Sequence, residues 1–456
     1  MEIRTKEKLQ MLKSEKLTAE QNIKNFLEKI KKEDKQINSF IQINQNALKE
    51  AAEVDKKIKA KKAGKLAGLA IAVKSNINVK GLIASCASKT LANYVSTYDA
   101  TVISRIKKED GIIIGITNCD EFACGSSGET SSYGPTKNPA QQELIPGGSS
   151  SGSAAAVAAG FCDLALCSDT GGSIRNPASH CGIVGVKPSY SLVSRYGLID
   201  LAMSLDQIGP FSKDVHGSAL LLSVIAGYDE HDPTTFDVKI SDYASETEKI
   251  PKNITLGLSK DFESLSDKKV YALTKAAAEK LASKYSWKIK EVKLNHVDLA
   301  VAAYYPICYV EFFSATRKFD GRKYGSKIEE ACGPEVLRRI LGGSEISKAE
   351  FRGLYYRRAL KAQQLIKKDF DDAFKNVDCI LAPTVPRLPH KIGSKITAEE
   401  MYSYDALTIP ANLAGITAIN VQAGKLNNIP VGLQIMAPAF SEAKIFQIAS
   451  AFEKIK

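Results

Sequence analysis

The sequence predicts an α/β fold in which a mixed central β-sheet is covered by helices on both faces. Three observations carry that expectation. From Leu69 onward, short apolar runs (LAIAV, IIIGI, LALCS) alternate with helical stretches, which is the texture of strands wrapped by helices. Two further strand candidates, residues 379–382 and 431–436, lie far along the chain, so one sheet is completed from the carboxyl end. Neither an internal repeat nor a low-complexity tract is present, which argues against a solenoid or an array.

In chain order, the first sixty-odd residues read as helices. Thr18 with Gln21 makes a capping box for a helix over 18–32, and Asn46 opens a Lys/Glu-rich helix that stops at Gly64. Residues 1–64 are thus expected as a helical segment packed on the core, and 65–456 as the main domain. Within the latter, 228–350 is more polar, with the stretch YDEHDPTTFDVKISDYASETEK and a helix over 267–284. It reads as a lobe on the main core.

With 456 residues, 44% hydrophobic and 25% charged, the chain has a globular composition and the length for a large core. The start, MEIRTKEKLQMLKSEK, contains no apolar signal region, and no apolar run is long enough to cross a bilayer. A cytoplasmic location is the expectation. The nine cysteines include no CxxC pair and only five histidines accompany them, so no metal site is expected and the thiols should be reduced. The net charge of +11 favours an acidic partner such as tRNA. Much of the excess sits in KKIKAKKAGK at 56–65, and the ordinary reading of such a run is a solvated helix end.

The chemistry is concentrated at 146–173, where PGGSSSGSAAAVAAG is followed by an apolar run and SDTGGSIRNP. A phosphate cradle fails on detail, because no GxxxxGK[ST] is present. A flexible linker fails too, because 154–159 is a strong helix former bounded by Ser153 and Gly160. What remains is a place where backbone approaches a reacting group closely, as acyl transfer requires. In Asp169-Thr170-Gly171-Gly172-Ser173, consecutive unencumbered amides can point at one spot and stabilise an oxyanion, with Ser173 as the nucleophile.

A serine needs a base, ordinarily a histidine held by a carboxylate. His180 lies nearby in a small-residue stretch. A lysine serves instead if burial disfavours its charge, and Lys74 at the end of LAIAV is the natural candidate. Singly, a serine in a Gly-rich turn is a cap and a lysine after a strand is solvated.

Together, Lys74, Ser149 in PGGSSSG and Ser173 in SDTGGSIRNP reproduce both motifs and the spacings of the amidase-signature family, which the chain resembles from about residue 65 to its end, through CGIVGVKPSYSLVSRYGLI and SLDQIGP. The resemblance implies the amidase-signature fold and a Ser-cisSer-Lys triad. Ser173 would attack the amide carbonyl, Ser149 would relay the proton, with a cis peptide at its own nitrogen, and neutral Lys74 would be the base. Thr170, Gly171 and Gly172 would form the oxyanion hole with the Ser173 amide. Ser150, Ser151 and Ser153 read as turn and cap residues, with Ser150 at most a hydrogen-bond support.

Three segments, AAYYPICYVEFFSATRKFDGRKYG, GPEVLRRILGG and YDALTIPANLAG, resemble the tRNA-dependent amidotransferase members of that family, as does the loop DEFACGSSGETSSYGPTKNP. By those motifs Tyr304, Arg339 and Asp405 match glutamine-binding residues, with Arg339 at the carboxylate and Asp405 at the ammonium. Arg338 beside Arg339 leaves open which of the two serves. The 325–333 segment is short, FFSATRKFDG replaces a more polar run, and Cys124 stands where methionine is usual. The resemblance implies hydrolysis of glutamine through a glutamyl-serine ester. The ammonia would go to transamidation of Glu-tRNA(Gln), Asp-tRNA(Asn) or both, in complex with a tRNA-binding B subunit and a small C subunit of the amidotransferase. ATP and Mg would be used by the tRNA-binding partner, and this chain would hold no cofactor. The alternatives are a stand-alone amidase acting on other small amides, with no use for Arg339 and Asp405, and a tRNA-binding scaffold, with no use for the triad.

Overall fold

The structure, a computed structural model, describes residues 3–455. Among them, eleven strands form one mixed sheet: β1 (Phe40–Ile43), β2 (Ala70–Lys74), β3 (Ile112–Thr117), β4 (Leu164–Asp169), β5 (Val184–Lys187), β6 (Gln207–Ser212), β7 (Thr255–Ser259), β8 (Lys288–Val292), β9 (Cys379–Pro383), β10 (Thr417–Leu426) and β11 (Ile429–Ala437). The order across the sheet is β1-β3-β2-β4-β6-β5-β10-β11-β9-β7-β8. β2 runs parallel to both β3 and β4, so Lys74 and Asp169 leave the sheet at the same edge, where parallel sheets gather their sites. The antiparallel pair β10 and β11 joins β5 to β9, so the carboxyl-terminal strands fill the middle of the sheet.

Alternation along each strand divides the core between the two faces. Ile71, Val73, Leu164, Leu166, Ile419 and Ile435 enter one apolar cluster, which includes Leu221 of the helix Val215–Ile225 and Phe446 of the helix Glu442–Ile455. Their neighbours Ala70, Ala72, Ala165 and Cys167 enter another with Ile23, Ala51 and Ala155. Further along the sheet, Ala418, Met436 and Ile380 face a third cluster built on the helices Ala300–Thr316, Pro334–Ile346 and Leu354–Ala373. Helices therefore cover both faces.

Several boundaries differ from the sequence reading. The helix opened by Thr18 runs to Ile37, where Asn38 caps it at φ 60, and only half of the capping box forms: Thr18 accepts from the Gln21 N–H, while the Gln21 side chain turns to Asn25. The helix after Asn46 stops at Lys59 rather than Gly64, with no side-chain cap from Asn46 and with Lys61 at φ 56. The supposedly all-helical start contributes β1, an edge strand antiparallel to β3. The stretch 228–350 is not a separate lobe, because β7 and β8 lie in the main sheet and the helix Ala300–Thr316 lies over it. β8 is mostly exposed, and its lysines blunt an edge that would otherwise invite pairing.

Candidate active site

Lys74 ends a strand whose five residues are all buried, and its own side chain is fully enclosed. Its Nζ donates to Ser149 Oγ at 2.8 Å and to Ser168 Oγ at 3.0 Å. Asn76 also donates to Ser168, at 3.0 Å. Burial pushes the Lys74 ammonium below its ordinary range, while the thiols of Cys119 and Cys167 and the carboxyls of Asp120 and Asp206 pull it back. A lysine in such surroundings can be neutral and accept a proton.

Ser149 follows a cis peptide from Gly148. The turn before it is pinned by Asp120, whose carboxylate accepts from the Gly128 N–H at 3.0 Å and the Thr130 hydroxyl at 2.9 Å, while the Asp120 N–H donates to the Ser149 carbonyl at 3.0 Å. A Cβ at Gly148 would stand 2.0 Å from Asp120 Oδ2, so only glycine fits. Burial raises the Asp120 carboxyl to about 6, against its hydrogen bonds from Thr130 and Gly128.

The helix Ser151–Ala159 begins directly after this turn and ends at Gly160, φ 70. Ser150 does not cap it through its side chain but donates to the Ser168 carbonyl at 3.1 Å. Ser151 and Ser153 are first-turn residues, held to Thr136 at 3.3 Å and Thr117 at 2.7 Å respectively. Their hydroxyls fasten the helix to its neighbours, a use that turn statistics do not reveal.

Ser173 is 8% exposed and lies in the turn after β4. Its carbonyl accepts from the Ser150 N–H at 3.3 Å, which ties the two serine turns together. The intervening backbone is held from all sides. Thr170 donates to Asp206 at 2.6 Å, Thr408 donates to the Gly171 carbonyl at 2.7 Å, and the Asn176 N–H donates to the Gly172 carbonyl at 2.8 Å. Because peptide units are planar, fixing these carbonyls fixes the direction of the following N–H groups. Burial raises Asp206 to about 7, and the Thr170 hydroxyl pulls it down.

Below this turn lies a buried ion pair. Asp169 meets Arg175 through Oδ1 at 2.9 Å and Oδ2 at 3.1 Å, with both side chains fully enclosed. Arg175 also donates to the Thr408 carbonyl at 2.8 Å, Gln434 at 2.6 Å and Asn412 at 2.5 Å. Burial alone would raise Asp169, but the guanidinium overrides it and holds the carboxyl below its usual range. His180 is remote in chemistry: burial pushes it down to about 3, and its ring packs edge-on to Tyr404.

The glutamine-matching residues come to the same place. A Cβ on Gly171 would fall 2.8 Å from Tyr304 Cζ, and one on Gly172, at φ +148, would fall 2.2 Å from Thr408 Oγ1 and 2.9 Å from Asp405 Oδ1. Asp405 accepts from the Ser126 hydroxyl and from Asn176 Nδ2 at 3.3 Å. Burial raises its carboxyl to about 7, while those hydrogen bonds and Arg339 lower it. Arg339 is 3% exposed, whereas the Arg338 side chain is 51% exposed, so burial separates the two arginines where sequence left them open. Cys308 accepts from Arg339 at 3.7 Å, and the buried Cys124 thiol feels the same guanidinium. In the shortened segment, the Gly333 N–H donates to Glu121 at 2.7 Å.

Sequence reasoning did not single out Ser168, Asn76, Asp206, Ser126 or Asn176, although all but Asn76 lie within the motifs SDTGGSIRNP, SLDQIGP and DEFACGSSGETSSYGPTKNP. Arg175 and Asp120 had a signal, since Arg175 lies in SDTGGSIRNP and Asp120 opens DEFACGSSGETSSYGPTKNP.

Residues 21–446 match the amidase family. The A subunit of a glutamyl-tRNA(Gln) amidotransferase from Methanosphaera stadtmanae is 51% identical over 450 residues, spanning 98% of this chain and 99% of that protein. Among solved structures, the corresponding protein from Thermotoga maritima superposes with a TM-score of 0.82 at 39% identity, covering 96% of this chain and 94% of that one. The native peptide amidase from Stenotrophomonas maltophilia gives a TM-score of 0.86 at 27% identity, covering 99% and 96%. Fold similarity thus extends across enzymes of different substrate, and identity is what separates them.

Proposed function

The chain belongs to the amidase family, and from that premise we propose that it is the glutamine-hydrolysing subunit of a tRNA-dependent amidotransferase. Ser173 Oγ bonds to the side-chain amide carbon of glutamine, and its proton passes through Ser149 to neutral Lys74. The oxyanion is met by the amides of 171–173. As the carbon–nitrogen bond breaks, the proton returns to the leaving nitrogen and ammonia departs, leaving a glutamyl-Ser173 ester. Water then releases glutamate by the same relay.

The observation that carries the glutamine reading is a buried pair of opposite-charge groups: Asp405 beside the Gly171–Gly172 turn, and Arg339 near enough to lower its carboxyl. Free glutamine presents a carboxylate and an ammonium at one end, and such a pair suits both. Arg339→Ala or Asp405→Ala should raise the glutamine KM on the order of 100-fold, because each leaves a substrate charge unpaired in a desolvated pocket. A simple uncharged amide should lose far less. Equal losses on both substrates would instead favour a stand-alone amidase.

The ammonia is used in a complex, where a tRNA-binding B subunit consumes ATP with Mg to activate Glu-tRNA(Gln) or Asp-tRNA(Asn), and a small C subunit completes the assembly in the cytoplasm. Among the described residues, no helix is long and apolar enough to cross a membrane. Co-purification with two such partners, and glutaminase activity that rises with them and charged tRNA, supports this assembly. A lone chain with full, tRNA-independent activity on many amides overturns it.

A further inference from the structure

Arg339 does not reach the site unaided. Its Nε donates to Glu335 Oε1 at 2.9 Å, one helical turn earlier in Pro334–Ile346. The same Oε1 accepts from the Tyr402 hydroxyl at 3.1 Å, and Arg338 donates to the other oxygen. Tyr402 also meets the Tyr309 hydroxyl at 2.8 Å. Its ring stacks on Tyr305 with centroids 3.8 Å apart. The Arg339 guanidinium lies 5.6 Å from the Tyr305 centroid and 5.9 Å from that of Tyr402. Glu335, Arg338 and Tyr402 also line a cleft of about 610 Å³. The Glu335 carboxylate therefore stands between that open cleft and the buried cation.

We propose that Glu335, latched by Tyr402, is a positioning residue for glutamine recognition: it holds Arg339 by Nε so that the terminal nitrogens face the substrate carboxylate. The proposal rests on the glutamine reading above. A guanidinium has five donors in a fixed fork, and fixing Nε from behind determines which edge of the fork is presented. The stacked tyrosines restrict the remaining rotation and give the cation a face to lie against. A rival role follows from charge alone, since a carboxylate beside Arg339 also competes with the substrate's carboxylate, and the two roles predict opposite signs.

The test is steady-state kinetics on the full chain together with the partners that co-purify with it. Glu335→Ala should raise the glutamine KM about 10- to 100-fold, the loss expected for a charged hydrogen bond, with kcat within about 2-fold. Glu335→Gln, which keeps an acceptor for Nε, should recover part of that loss. Tyr402→Phe keeps the stack and removes one donor, and should give a smaller KM rise in the same direction. An uncharged small amide should show an unchanged KM in all three. Should Glu335→Ala fail to fold, the Gln and Phe variants carry the test. An unchanged or lowered glutamine KM in the two Glu335 variants overturns the positioning role, as does an equal KM rise for the uncharged amide. A parent enzyme that cleaves small amides but not glutamine overturns the glutamine reading itself, which is a different outcome.

Discussion

In the proposed relay Lys74 must be without its proton before it can accept one through Ser149, and an arginine at that place never is. Lys74→Arg should therefore be as inactive as Ser173→Ala in a glutaminase assay, although it keeps charge and length, and the triple variant of Lys74, Ser149 and Ser173 should be little worse than any single one. Near-normal turnover in any of them removes the mechanism. Asp405 sets a second condition. With its carboxyl raised to about 7 by burial, it is neutral below that pH and, in the proposed binding mode, offers no charge to the substrate ammonium. The kcat/KM for glutamine should fall as pH drops through about 7, since this parameter reports the free enzyme. Asp405→Asn should abolish that limb, while the limb owed to Lys74 persists on an amide lacking the amine. At this scale two motifs at fixed spacing single out Lys74, Ser149 and Ser173, and the fold brings Lys74 onto Ser149 and ties the turn of Ser149 to that of Ser173. Ser168 and Asn76 were not singled out, since their role exists only where β2 and β4 lie side by side.

The turn after β4 and the helix Arg175–Cys181 depend on one buried ion pair. Removing one partner from such a pair strands the other charge away from water. Arg175→Met should cost about 3–5 kcal/mol in urea unfolding. Adding Asp169→Asn should restore part of that, a coupling read from the double-mutant cycle. A purely additive pair would mean that the two side chains do not sustain one another. Elements that bury a continuous apolar run, such as β2, β3 and β4, were legible from that run. β1 and β8 were not: FIQI is four half-buried residues between helices, and KIKEV is a solvated edge strand whose lysines mimic a loop.

Across the whole molecule, the sheet is assembled out of chain order. β1 closes one edge beside β3, and the first helices supply Ala19, Ile23 and Ile30 to the core. Removing residues 1–43 should bare the β3 edge and that apolar face, so the truncated chain should aggregate rather than remain active; a soluble, fully active truncation would show the segment to be dispensable. That one sheet draws on both ends of the chain was legible from strand candidates at 379–382 and 431–436. Their insertion between β5 and β9 was not, because strand order depends on pairing partners remote in sequence. The same arrangement bears on how the enzyme comes into being. Arg175, two residues beyond Ser173, donates hydrogen bonds to positions 233, 237 and 259 residues further on. A ribosome has long since released Ser173 when Gln434 emerges, so a nascent chain holds the proposed nucleophile without the scaffold that aims it, and should not consume glutamine until those later residues are in place.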